Sequence, residues 1–386
     1  MMRAYLRYVL CILTVCALNP TAIPAQAADG DAKPLTLLGR SALDHLHFKL
    51  SGDDWSWLGR KRELVLGAAA PDFLPFDITA SGRDYEGITA DYMAIVGNML
   101  GVKVSVRRYA TRAAALDALA KGKIDLLGTA NNVDTYDQGL ALSSSYVADR
   151  LALVTRIDEQ REIGKGAGLR LATAANYRSP DAVKKIYPDA QLKFFASDQA
   201  AMAAVAFGQA DMFLGDAISA NYLINVNDFN LLYLSNFIPV GSGGFTFAMR
   251  KEDQRLLRAV NAVLGAIPKE EKNTIERRWS LGSEAYLSTD KLDLTPREQR
   301  WLDQHQKMRV LVNEQYAPLS FFDKDGRFLG LAADILRLVK WRTGLEFEIL
   351  HTNLLGGVIP QMYKENADLI AVLGIAEERA DKVNFT

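Results

Sequence analysis

The chain has 386 residues, 49 % hydrophobic and 24 % charged, with a formal net charge of −1. That length allows two to three domains of about 150 residues, and the composition excludes disordered, collagen-like and disulfide-stapled chains. The balanced charge argues against nucleic acid as a partner, because phosphate recognition leaves a clear basic excess.

The first feature along the chain is a targeting signal. Arg3 and Arg7 precede an apolar run from Tyr8 to Leu18, and Pro20, Pro24 and the small-x-small stretch Ala25-Gln26-Ala27 follow. The run is shorter than the about 20 apolar residues of a spanning helix. Residues 1–27 therefore read as a secretory signal peptide cleaved after Ala27, with the product exported to the periplasm. Val15 is too bulky for the position before a lipidated Cys16. Both cysteines, Cys11 and Cys16, lie inside this signal, so the exported chain carries no disulfide, thiolate metal site or cysteine nucleophile. Residues 28–56 form an N-terminal extension.

From Pro75 to Ser143 the sequence repeats itself without a gap at an offset of 243. Pro75, Gly87 and Asp91 recur as Pro318, Gly330 and Asp334, Gly101 as Gly344, Asp125 as Asp368, and Leu142 as Phe385. Trp57-Leu58 and Trp301-Leu302 lead into the two units with a one-residue slip. A repeat on this scale decides architecture. Each unit opens with a β-like run, Glu63 to Gly67 or Met308 to Val312. A helix follows whose apolar residues Tyr92, Ile95, Val96, Met99 and Leu100 share one face, ended by Gly101. Then come a strand from Val102 to Arg107, a helix carrying Leu116 and Leu119 that closes at Gly122, and the buried strand Ile124 to Gly128. Strands alternating with helices predict parallel α/β sheets.

The first unit continues with a strand at Leu169 to Ala172 and a helix start at Ser179-Pro180-Asp181. An Ala-rich helix from Asp198 to Phe207, a strand at Asp211 to Leu214, a strand at Phe245 to Met249 and an amphipathic helix through Leu256 and Ile267 complete it. A polar linker ends in Leu294-Thr295-Pro296-Arg297-Glu298, which feeds a capped helix. The second unit stops soon after its third strand, so the sequence reads as truncated within that unit.

Catalytic signals are poor. His45 and His47 stand near the N-terminus and His305 and His351 are isolated, with no metal-ligand spacing. Gly241-Ser242-Gly243-Gly244 and Gly164-Lys165-Gly166-Ala167-Gly168 read as flexible loops rather than phosphate cradles. No cofactor is indicated.

The run Tyr316-Ala317-Pro318-Leu319-Ser320-Phe321-Phe322, then Asp325-Gly326, Gly330 and Asp334-Ile335-Leu336, resembles the opening of the periplasmic solute-binding proteins of family 3, the Venus flytrap fold. Ala376 to Thr386 resembles that family's Thr-x-x-Arg…Phe-Ser segment, and Gly208 to Asp216 the segment bearing the second-lobe aspartate. The resemblance implies an α/β fold of two lobes with ligand in the cleft, followed by a partial second copy. The expected domains are 57–282 for the first flytrap, with lobe 1 about 63–150 and 240–280 and lobe 2 about 156–236. A linker at 283–305 and the partial flytrap at 306–386 follow. The tandem arrangement resembles the sensor region of unorthodox hybrid histidine kinases of the Bvg and Evg type.

That resemblance implies a periplasmic sensing region without an enzyme activity of its own. Its partner would be a small-molecule ligand, with room for a homodimer and a link to the inner membrane through a downstream segment. A transport-type solute-binding protein is the alternative, and an enzyme on the same scaffold a remoter one. In amino-acid-binding members an Arg grips the ligand carboxylate and a second-lobe Asp takes the ammonium. Here Arg379 keeps the Arg position in the second unit, whereas the first unit has Tyr136 there and retains Asp216. Phe76, Thr129 and Asn131 are expected to line the first cleft, with Asn176 and Tyr177 before the second lobe's first helix. A phenol cannot neutralise a carboxylate, so this unit is expected to disfavour anionic ligands and to bind common α-amino acids no tighter than about millimolar.

Overall fold

The computed structural model describes residues 32–386 except 42, 44, 132–138, 158, 160–162, 239–242, 282–291, 293, 325 and 354–356. The signal at 1–27 and Tyr136 lie outside the described residues.

The repeat appears as matched elements. Helix Ile88–Leu100 has its counterpart in Leu331–Thr343, and strand Lys103–Tyr109 in Glu346–Thr352, at the same offset of 243. The upstream slip persists in strands Glu63–Ala69 and Lys307–Asn313. Gly87 and Gly330 precede the two helices with φ of +117° and +105°. A Cβ at either would collide with carbonyl oxygens of the proline turn before it, Pro75 and Phe76 or Pro318 and Leu319. The two aspartates of the register also do the same job: Asp125 accepts the Val65 N–H at 2.9 Å and Asp368 the Arg309 N–H at 2.7 Å.

In the first unit, one sheet runs in the order Asp84–Tyr85, Lys33–Leu37, Lys103–Tyr109, Glu63–Ala69, Leu126–Ala130, Gly244–Arg250 and Leu140–Leu142, with Val147–Ala148 also on Gly244–Arg250. A second sheet runs Gln191–Phe195, Arg170–Ala174, Met212–Asp216, Leu151–Arg156 and Leu232–Phe237. The sheets are mixed, which corrects the expectation of parallel ones. Leu151–Arg156 lies antiparallel to Met212–Asp216, and Gly244–Arg250 antiparallel to Leu126–Ala130. The reason is topological. A strand that crosses between lobes without a helical crossover enters the new sheet running the other way. Lys33–Leu37 also pairs antiparallel with Lys103–Tyr109, so part of the N-terminal extension is built into the first lobe.

The core spans both lobes and centres on Phe76, Tyr85, Tyr92, Met93, Phe213, Phe245 and Phe247, all fully buried. The last helix of the first unit, Lys269–Ser280, is fastened to both lobes. Buried Asp91, from the first lobe, accepts from Arg278 at 2.5 Å, the Trp279 indole at 2.9 Å and the Arg40 amide at 2.5 Å. Asn221, from the second-lobe helix Ala217–Val226, donates to the Ser280 carbonyl at 2.9 Å. After helix Pro296–Gln304, opened by the Thr295–Glu298 capping box, the second unit forms a three-stranded parallel sheet. It leans on the first unit's second lobe: Trp341 meets Phe237 edge-on at 5.0 Å, Arg337 lies over the Tyr233 ring, and Arg327 donates to the Ile157 carbonyl at 2.6 Å.

Candidate functional site

The C-terminal ends of Glu63–Ala69 and Leu126–Ala130 in one lobe and of Arg170–Ala174 and Gln191–Phe195 in the other converge on a cavity of about 70 Å³. Ligand sites of open α/β sheets gather at such strand ends. The volume is well below the roughly 300–1,000 Å³ of a drug-sized ligand pocket, so the cleft as it stands fits only a small group.

From the first lobe come Asp72, Phe73, Asp77, Arg112, Thr129 and Asn131. Thr129, at φ +53°, donates its hydroxyl to Asp77 at 2.5 Å, and the Tyr85 hydroxyl also donates to Asp77. Burial nevertheless pushes the Asp77 carboxyl up. Arg112 donates to the carbonyls of Gly128 at 3.0 Å and Thr129 at 3.3 Å, so the cleft's guanidinium already serves the backbone. Phe73 stacks on Phe76 at 5.3 Å and faces Phe245 at 5.5 Å and Tyr177 at 6.5 Å, making an aromatic wall that both lobes share. Asn131 donates across the cleft to the Tyr177 carbonyl at 3.3 Å. The Tyr177 hydroxyl donates to Asp149 at 2.5 Å, and Arg178 pairs with the same carboxylate at 2.8 Å.

Asp198 also lines the cavity, at the first position of helix Asp198–Ala206. It is 4 % exposed, and neither carboxylate oxygen has a hydrogen-bond partner among the described residues. Burial, with the charge of Asp149 adding to it, pushes this carboxyl up to about 7.

Of the residues expected from sequence, Thr129, Asn131, Asn176 and Tyr177 come together around the cavity. Phe76 sits behind it, 4.1 Å from Phe245 ring to ring. Arg379 belongs to the second unit, in the short helix Glu377–Ala380, and donates to the Gly374 carbonyl at 2.8 Å. Asp216 needs correction as a cleft carboxylate. It is 0 % exposed, and its oxygens accept the N–H groups of Ile218 at 2.9 Å, Ser219 at 3.0 Å and Arg150 at 3.1 Å. It caps helix Ala217–Val226, and a carboxylate so engaged has little left to offer a ligand. Sequence reasoning missed Asp72, Phe73, Asp77, Arg112, Asp198 and Phe245. Phe73 and Asp77 flank the proline turn after the first strand, and that position was the available signal.

Among the described residues no His, Cys, Asp and Glu cluster could hold a metal, and no helix is long and apolar enough to cross a membrane.

The sequence profile of the bacterial extracellular solute-binding proteins, family 3, matches residues 65–282 and 308–386. The chain is 41 % identical over 388 residues to the virulence sensor protein BvgS of Bordetella parapertussis, covering all of this chain and 31 % of that protein. It is 28 % identical to the sensor protein EvgS of Escherichia coli K12, covering 90 % of this chain and 29 % of EvgS. The chain thus spans about a third of the length of these relatives. The crystal structure of the periplasmic domain of B. pertussis BvgS superposes with a TM-score of 0.80 at 41 % identity, over 91 % of this chain and 68 % of that one. The similarity is to the periplasmic part of a sensor, and two-lobed flytrap architecture is common to both.

Proposed function

The chain belongs to the bacterial extracellular solute-binding proteins of family 3, and on that premise we propose that it is the ligand-sensing periplasmic region of a two-component sensor histidine kinase. A small molecule entering the first unit's cleft shifts the balance between open and closed lobes by its preference for the closed form. The second unit, seated on the second lobe, receives that movement. The single observation that carries this reading is the end-to-end likeness, in sequence and in tandem architecture, to the periplasmic region of a sensor rather than to a one-unit binding protein. The contact residues proposed are Thr129, Asn131, Asn176 and Tyr177, joined by Asp77 and Asp198. In this reading the signal peptide is removed after Ala27, the first flytrap spans 57–282, and 306–386 belongs to the second.

The test is a chimera in which this chain replaces the matching region of BvgS. The only cysteines of this chain, Cys11 and Cys16, precede Ala27. The pair Asn131→Cys and Asn176→Cys, from opposite walls of the cavity, offers a cross-link with no competing thiols in this chain's exported units, its formation verified by mass spectrometry before output is read. Oxidation is expected to shift kinase output by about threefold or more, the scale of a modest population shift. Output that ignores the lock in either redox state overturns the reading.

A further inference from the structure

The first unit's cleft holds one carboxylate that the fold does not use. Asp198 begins a helix, yet the cap is made by Ser197, whose hydroxyl accepts the Ala200 N–H at 3.2 Å. Both Asp198 oxygens are buried and unpartnered among the described residues, on a cavity wall. Buried polar groups are paired in nearly all native proteins, and an exception inside a cleft marks where a partner belongs. The charges around it agree. Asp72 and Asp77 line the same cavity, while Arg112 is engaged by two backbone carbonyls. The described lining carries three carboxyl groups, Asp72, Asp77 and Asp198, to the one guanidinium of Arg112, and Phe73, Tyr177 and Phe245 supply ring faces of the kind that attract cations.

We propose that this cleft takes a small organic ammonium or guanidinium compound without a carboxylate, its charged nitrogen donating to Asp198 and its carbon part resting on the Phe73, Tyr177 and Phe245 wall. This names the ligand class of the sensing site and rests on the sensor reading for its consequence alone. It also moves the cleft's negative charge from Asp216 to a residue eighteen positions earlier in the chain, on a different helix.

Calorimetry on the full exported chain at about pH 8, where Asp198 is ionised, uses n-propylammonium and guanidinium as probes, with propionate and 1-propanol as charge-reversed and neutral controls. At least one cation is expected to bind at millimolar Kd or tighter, about tenfold better than either control. Asp198→Asn should weaken that cation about tenfold or more, and Asp198→Glu should restore part of the loss. Circular dichroism checks the fold of each variant, with Asp198→Ser as a substitute if the Asn variant does not fold. Equal binding of propionate, undiminished cation binding by the Asn variant, or no cation binding up to about 50 mM overturns the proposal. If those results come while the locked chimera still changes kinase output, the ligand class falls and the sensor reading stands. A silent lock alongside Asp198-dependent cation binding upholds the ligand class and removes the sensor reading.

Discussion

The two units make the same local structure and bury it very differently. Helix Ile88–Leu100 is buried on nearly every side, Asp91 and Tyr92 included, whereas its counterpart Leu331–Thr343 buries only Ala332 and Ala333. Leu331 and Ile335 on that second helix are 55 % and 51 % exposed. The first copy is enclosed by the return strand Gly244–Arg250 and the helices Gln254–Ala266 and Lys269–Ser280, all of them far along the chain from the helix they cover. Glycine and proline positions fix the backbone of both copies, but burial comes from segments distant in sequence.

The aspartate pair puts the largest expected difference on that comparison. Asp91→Ala removes the shared acceptor of Arg278, Trp279 and the Arg40 amide and should cost the first unit about 3–5 kcal/mol in denaturant unfolding. Asp334 is exposed and pairs only with Arg337 three residues on among the described contacts, so Asp334→Ala should stay within about 0.5 kcal/mol. Equal losses would break the comparison.

The next effect is confined to the first unit and depends on pH. Asp198 has a folded-state pKa of about 7 against 3.8 for the unfolded chain, so the folded state binds the proton more tightly. Stability should therefore be greatest below pH 4 as far as this group is concerned, fall between about pH 4 and 7, and level off above. The difference in stability between Asp198→Asn and the parent chain should grow over that window, on the order of 2–4 kcal/mol. Glu348 in the second unit has the opposite sign, its pKa held down by the Lys307 hydrogen bond. A parent and Asn variant with parallel pH profiles would remove Asp198 as the source.

The smallest expected contrast lies at the glycines. Gly87→Ala and Gly330→Ala each force a side chain into positive φ against backbone carbonyls, at about 1–3 kcal/mol. Because that demand is local, chemical denaturation followed separately in each unit should find the two costs within about 1 kcal/mol of each other. A much cheaper Gly330→Ala would mean that packing decides even here.

Sequence alone carried the repeat and its elements because Pro75, Gly87, Gly101 and Asp125 each answer a requirement set within their own turn or cap. Strand Lys33–Leu37 escaped it, since five residues with Pro34 second give too little alternation to distinguish a strand from a tail. The direction of the crossing strands escaped for another reason: it is set by which distant strand they pair with. The site was half legible. Thr129, Asn131, Asn176 and Tyr177 follow strand ends of the family pattern, but Asp198 looks like any acidic residue in a first helical turn. Its burial against the cavity is set by packing with segments distant in sequence.

Ser280 ends the helix that leads out of the first unit, and its carbonyl is hydrogen-bonded to Asn221 of the second lobe, two residues after Arg278 is clamped by Asp91 of the first. The outgoing chain is thus glued across the seam like the wire of a strain gauge. The helix end that leads toward the second unit is therefore tied to both sides of the cleft, and a movement of one lobe against the other loads those two bonds.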